Sequence, residues 1–128
     1  MENSRFEFRG LNHLGVWVYG LPSQQKQGDN GTMWGDVQYC YQFSLKTLGQ
    51  YTGLKDKNGV KIFEGDVVKG TAYEAEIYTG EVAYLDSEAS FIMKIIGSKG
   101  HFRLNNQTFQ ALEVVGNKFE NPELLNAE

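Results

Sequence analysis

One cysteine, two prolines and two histidines are all that the 128-residue sequence offers in three of the most informative residue types. A single thiol, Cys40, excludes a disulfide within the chain and fits a reducing compartment. His13, His101 and Cys40 lie far apart without any short ligand spacing, so no metal site is expected. No apolar run is long enough to span a bilayer and no apolar signal-type segment stands at the start, so the expectation is a cytoplasmic protein with no membrane partner. The motifs of phosphate chemistry are missing: there is no G-x-x-x-x-G-K-[ST] run and no G-x-G-x-x-G after a strand. The nucleophile elbow G-x-S-x-G is missing as well. No cofactor is expected. Positive charge is also short, with 12 Lys and Arg against 16 Asp and Glu, which argues against a generally basic nucleic-acid binder.

The charge is uneven. Residues 1–49 carry four basic and four acidic side chains, residues 50–70 four and three, and residues 71–128 four and nine, so the acidity lies in the C-terminal part. A hydrophobic content of 41% is that of a chain that buries a core, and the length suits one domain over 1–128. Glycine is abundant at 15 while proline is scarce, a balance that favours many short strands joined by tight turns.

Taken in order, Arg5 to Arg9 alternates, with Phe6 and Phe8 on one face and charged residues on the other. Gly15 to Gly20 reads as a more buried strand. Leu21 to Gly35 is polar and turn-rich and predicts an exposed loop or loose hairpin tip. Trp34 near its end is a candidate partner anchor, against the plainer reading that it packs back onto the sheet. Val37 to Phe43 alternates again and carries Cys40 as an inert strand thiol. Ser44 to Leu48 suits one helical turn. From Thr71 onward the pattern predicts strands over 71–78, 81–85, 91–96, 101–104 and 109–115, with Thr79-Gly80 as a turn. Asn121-Pro122-Glu123 predicts a short C-terminal helix capped by Asn121, too short to stand unless Leu124 and Leu125 dock on the sheet or on another subunit.

The most marked stretch is Gln50 to Gly70. Asn58-Gly59 predicts a type I′ hairpin turn, and Glu64-Gly65-Asp66 predicts a second turn only a few residues later. The same residues carry a family likeness. Tyr51-Thr52-Gly53-Leu54-Lys55-Asp56-Lys57-Asn58-Gly59 followed by Lys61-Ile62-Phe63-Glu64-Gly65-Asp66-Val67-Val68 resembles the YopX family of phage and prophage proteins. Trp17-Val18-Tyr19-Gly20 near the start, and Phe119-Glu120-Asn121-Pro122-Glu123-Leu124-Leu125 near the end, resemble the family's outer blocks. The likeness implies a phage or prophage gene expressed in a bacterial host, a functionally uncharacterised family, and no catalytic residues to transfer. The expected fold is a small bent sheet, or a barrel or sandwich, of short antiparallel strands with a short C-terminal helix.

Three functional readings follow. The first is a non-enzymatic interaction or self-assembly module, homo-oligomeric or binding a phage or host protein, consistent with a good supply of Tyr, Phe and Trp. The second is single-stranded nucleic-acid binding, with Lys55, Lys57, Lys61 and Lys69 interleaved with Tyr51, Phe63 and Tyr73. The chain's negative charge and the acids beside each Lys weigh against it. The third is a hydrolase built on Asp56, Glu64 and Asp66, against which stands the reading that these acids hold turns by bonding nearby backbone N–H groups.

Overall fold

Apolar residues at every second position call for strands, and the chain is mainly β, with the helical segments among the described residues confined to single 3-10 turns. The computed structural model describes residues 7–20, 22–27, 33–37, 41–72, 76–105 and 109–126. Where the sequence suggests one domain, the chain groups into two compact units, Met1–Tyr51 and Thr52–Glu128.

In the first unit, β1 (Phe8–Leu11) and β2 (Trp17–Gly20) form an antiparallel pair with Phe8 opposite Gly20 and Leu11 opposite Trp17. Asn12 shapes the turn between them: its Oδ1 accepts the N–H groups of Leu14 and Val16 at 2.9 and 3.0 Å. The buried Arg9 guanidinium lies 4.2 Å from the centre of the Trp17 ring. Fully buried Phe43 lies against Gly10 of β1. β3 (Pro22–Gln27), β4 (Met33–Val37) and β5 (Tyr41–Ser44) make a three-stranded antiparallel sheet. The stretch expected as a loop over 21–35 is thus extended and paired at both ends, because polar residues take strand geometry readily once the ladder is available. The strand expected over Val37 to Phe43 is divided between β4 and β5, and Cys40 lies outside the described residues. A 3-10 turn follows at Leu45–Thr47, where the Thr47 hydroxyl donates to the Ser44 carbonyl and accepts the Leu11 N–H.

β6 (Gly49–Lys55) carries the chain from the first unit into the second. Its start pairs with β1, Gln50 opposite Phe8, and its end lies beside β7 (Lys61–Phe63), giving a four-stranded sheet in the order β2-β1-β6-β7.

The second unit is built on five antiparallel strands: β8 (Asp66–Ala72), β9 (Glu76–Leu85), β10 (Ser90–Ile95), β11 (His101–Arg103) and β12 (Gln110–Asn117), in the order β11-β10-β9-β8-β12. Neither the four- nor the five-stranded sheet closes, which removes the barrel from the expected folds. One face is the core: Val68 and Ala72 of β8, Val82 of β9, Met93 of β10 and Leu112 of β12 meet Ile62 of β7. Each such side chain contributes about 1.5–3 kcal/mol by leaving water. Phe102 of β11 sits edge-on between Tyr78 and Phe109, with ring centres 5.0 and 5.6 Å away.

Gly80 departs from expectation in an instructive way. Instead of turning, β9 runs straight through it, because Gly80 is where β10 comes closest. A Cβ there would sit 2.4 Å from Met93 Cγ and 2.5 Å from the Lys94 carbonyl oxygen. The C-terminal helix is a single 3-10 turn, Pro122–Leu125. Asn121 does not cap it through its side chain but accepts the Asn117 N–H at 3.2 Å, and Leu124 seats against Gly116 of β12.

Candidate functional site

The turn between β6 and β7 is made by Asp56. Gly59 N–H donates to the Asp56 carbonyl at 3.0 Å, and only Gly59 has positive φ (+83°). The type I′ turn expected at Asn58-Gly59 is therefore a type I turn followed by a left-handed glycine, the geometry of a longer hairpin loop with a bulge. The side chain decides it. Asp56 Oδ1 accepts the Asn58 and Val60 N–H groups at 2.8 and 2.9 Å, which favours a right-handed Asn58. The other oxygen reaches 58 positions along the chain to accept the Val114 N–H of β12 at 3.0 Å. Beside it the Lys57 N–H donates to the Leu112 carbonyl at 2.8 Å. Burial pushes the Asp56 carboxyl up, but the N–H groups of Val114, Val60 and Asn58 and the Lys57 charge outweigh it and hold the carboxyl below the usual aspartate value.

Asp66, 1% exposed, accepts the Phe63 N–H at 2.8 Å, and the turn it closes is tied by Gly65 N–H to the Val82 carbonyl and by Lys118 N–H to the Gly65 carbonyl. Two of the three acids of the hydrolase reading thus bond backbone donors in turns, and the third, Glu64, is half-buried in the second turn. Among the described residues, no group of three His, Cys, Asp or Glu side chains could hold a metal ion.

The three candidate lysines do fall on one hairpin. Lys55 is exposed at the end of β6, Lys57 is exposed in the turn with its Nζ 3.7 Å from Glu113, and Lys61 opens β7 half-buried. Their proposed stacking partners are turned inward: Tyr51 is 3% and Phe63 2% exposed, and Tyr73 lies outside the described residues. Trp34 is on β4 in the other unit, and its side chain falls outside the described ones.

What the Asp56 turn accomplishes is edge cover. β12 is one border of the five-stranded sheet, and there the Leu112 carbonyl and Val114 N–H are taken by Lys57 and Asp56. The Asn117 N–H and carbonyl are taken by Asn121. The opposite border is different. The bonds Leu104 N–H to Phe91 carbonyl and Ile95 N–H to Gly100 carbonyl fix the phase of the β10–β11 ladder. Gly100, Phe102 and Leu104 therefore face β10, and the backbone groups of His101 and Arg103 point outward. Among the described residues none takes up those outward groups. An uncovered edge is a template for another strand.

Beside this edge lies a groove of about 480 Å³. Ala83, Leu85 and Ile92 line its apolar part and Lys94, Lys99 and His101 its polar part. Lys94 is opposite His101, and Ile92 opposite Arg103, in the strand register. Residues 71–128 have four Lys and Arg, and three of them (Lys94, Lys99 and Arg103) gather here with His101. Glu88 answers part of that charge: it accepts from His101 Nε2 at 3.0 Å and from Arg103 Nε at 3.2 Å, and these two bonds hold its carboxyl below the usual glutamate value. Glu81, opposite Lys94 in register, is instead 3.4 Å from Lys118. Sequence reading passed over this corner because its cations come from separate elements. The available signal was that the only Lys and Arg between residues 71 and 117 occur within 94–103.

Comparison with known proteins adds one match. The family model described as YopX protein matches residues 8–126, nearly the whole chain. No curated protein matches it.

Proposed function

We propose that this chain, which belongs to the YopX family, is a non-enzymatic interaction module of phage or prophage origin that engages a protein partner in the bacterial cytoplasm. The observation that supports this reading is the asymmetry of the five-stranded sheet. One border is closed by Asp56, Lys57 and Asn121, while the other presents outward backbone groups that no described residue takes up, next to an apolar groove with a basic rim. An open border can accept a further strand, and because a short, charged strand such as β11 resists indiscriminate pairing, a partner must match its charge and the groove beside it. The reading also accounts for Asp56 of the central motif, whose carboxylate builds the closed border.

In-cell photo-crosslinking tests it. A benzophenone amino acid in place of His101 should give a discrete protein adduct in the bacterial host. The same group in place of Val115, exposed on β12, should not. Adducts of equal yield from both positions, or none from position 101, would count against the reading.

A further inference from the structure

We infer that the β11 edge receives an extended segment of a partner protein in which acidic and apolar residues alternate, added as a sixth strand; this rests on the interaction reading above and names the chemistry of its partner. The outward N–H and C=O groups of His101 and Arg103 supply the hydrogen bonds of a new ladder. Side chains of an added strand alternate between the two faces with a repeat of roughly 6.6–6.8 Å per two residues. Those that share a face with His101 and Arg103 meet an exposed guanidinium and an exposed imidazole, with Lys94 on the next strand inward. Those on the other face meet Phe102, which is half-buried and continuous with the core. Acid on one side and an apolar residue on the other is the pattern that satisfies both. The remainder of this part of the chain is strongly acidic, so the corner where its cations collect is the one that attracts a negative segment.

Glu88 indicates how a ligand carboxylate would be held, since one carboxylate accepts from both His101 and Arg103. Its side chain is 31% exposed, and an ion pair this open is readily exchanged for another. Glu88 is in this sense a resident competitor for the acid of the incoming strand.

Fluorescence anisotropy with the full chain tests the inference, using a labelled octapeptide of alternating Glu and Val. The peptide should bind, and its Lys-Val counterpart should not. Arg103→Glu should weaken binding by roughly tenfold or more, and methylating the peptide's backbone nitrogens along one edge should abolish it. Glu88→Gln should tighten binding severalfold, a gain that a misfolded variant cannot mimic. Equal binding of the Lys-Val or N-methylated peptides, or unchanged affinity in both variants, would overturn the inference. So would preference for an oligothymidylate over the peptide, which would assign the corner to nucleic acid. A crosslinked adduct at position 101 without peptide binding would overturn the acidic strand alone; failure of both experiments would overturn the interaction reading with it.

Discussion

Replacing Asp56 by Asn removes one negative oxygen and changes nothing in size. The retained amide oxygen can still accept the Asn58 and Val60 N–H groups, but an NH2 group then faces the Val114 N–H across about the same 3.0 Å. Donor meets donor at a site 7% exposed. The lost charge-assisted bond and the stranded Val114 N–H together cost about 1.5–3 kcal/mol. Asp56→Ala gives up all three bonds and should cost more, about 3–5 kcal/mol. Against a total stability of about 5–15 kcal/mol either loss is large. For a chain of this size each kcal/mol lowers Tm by about 3–6 °C, which puts the Asn variant about 5–18 °C below the parent. The sign with pH follows from the carboxyl's depressed pKa. The stabilisation is fully present above the unfolded value near 3.9 and is lost as pH falls through the lower, folded value. Thermal melts followed by circular dichroism should therefore show a constant gap between parent and variant from pH 7 to about 5, narrowing below about pH 4. Amide hydrogen exchange at Val114 and Lys57 should accelerate in both variants. A gap of under about 1 °C at pH 7, or one that fails to narrow in acid, would refute the account of Asp56 as the tie between the hairpin turn and β12.

Three other substitutions probe separate parts of the fold. Gly80→Ala places a methyl group against Met93 and the Lys94 carbonyl and should cost about 1–3 kcal/mol, read as a lower urea midpoint with unchanged slope. At Gly59, with φ +83° and open space around it, Asn should be accepted almost without loss, whereas Val should cost about 1–2 kcal/mol in the same titration; equal stability of the two would contradict the left-handed assignment. Leu124→Ala should release the 3-10 turn from Gly116 at a cost of about 1–2 kcal/mol, seen as faster carboxypeptidase trimming with little change in the core's melting.

The strand content was legible because period-two burial is a local property: β10 and β12 fall where Phe91 to Ile96 and Phe109 to Val115 place them. Turn positions were legible to the extent that they depend on backbone permissiveness. Gly59 and Gly65 turn as expected, but Gly80 looks the same in sequence and serves close strand approach, which depends on the Met93 partner across the ladder. The type of the Asp56 turn was missed because the Asp56 carboxylate selects it, by accepting the Asn58 and Val60 N–H groups, rather than the Asn-Gly pair itself. The border of β11 was invisible for a separate reason. Whether a strand is an edge is a matter of sheet order, and no local pattern records that order. The candidate lysines stood out in sequence because they share one hairpin; Lys94, Lys99 and Arg103 did not, because β10, the following turn and β11 each contribute one.

The closed border has a consequence for how many copies could join through this sheet. Strand addition propagates only when each newcomer brings a second free side for the next one, as happens in fibrils. Here Asp56 and Lys57 occupy that second side, so two chains meeting β11 to β11 would share one ten-stranded sheet with a hairpin turn lodged at both far ends. Growth through this sheet stops at two. An aspartate that reads in sequence as one more turn acid would thus cap any assembly made through this sheet.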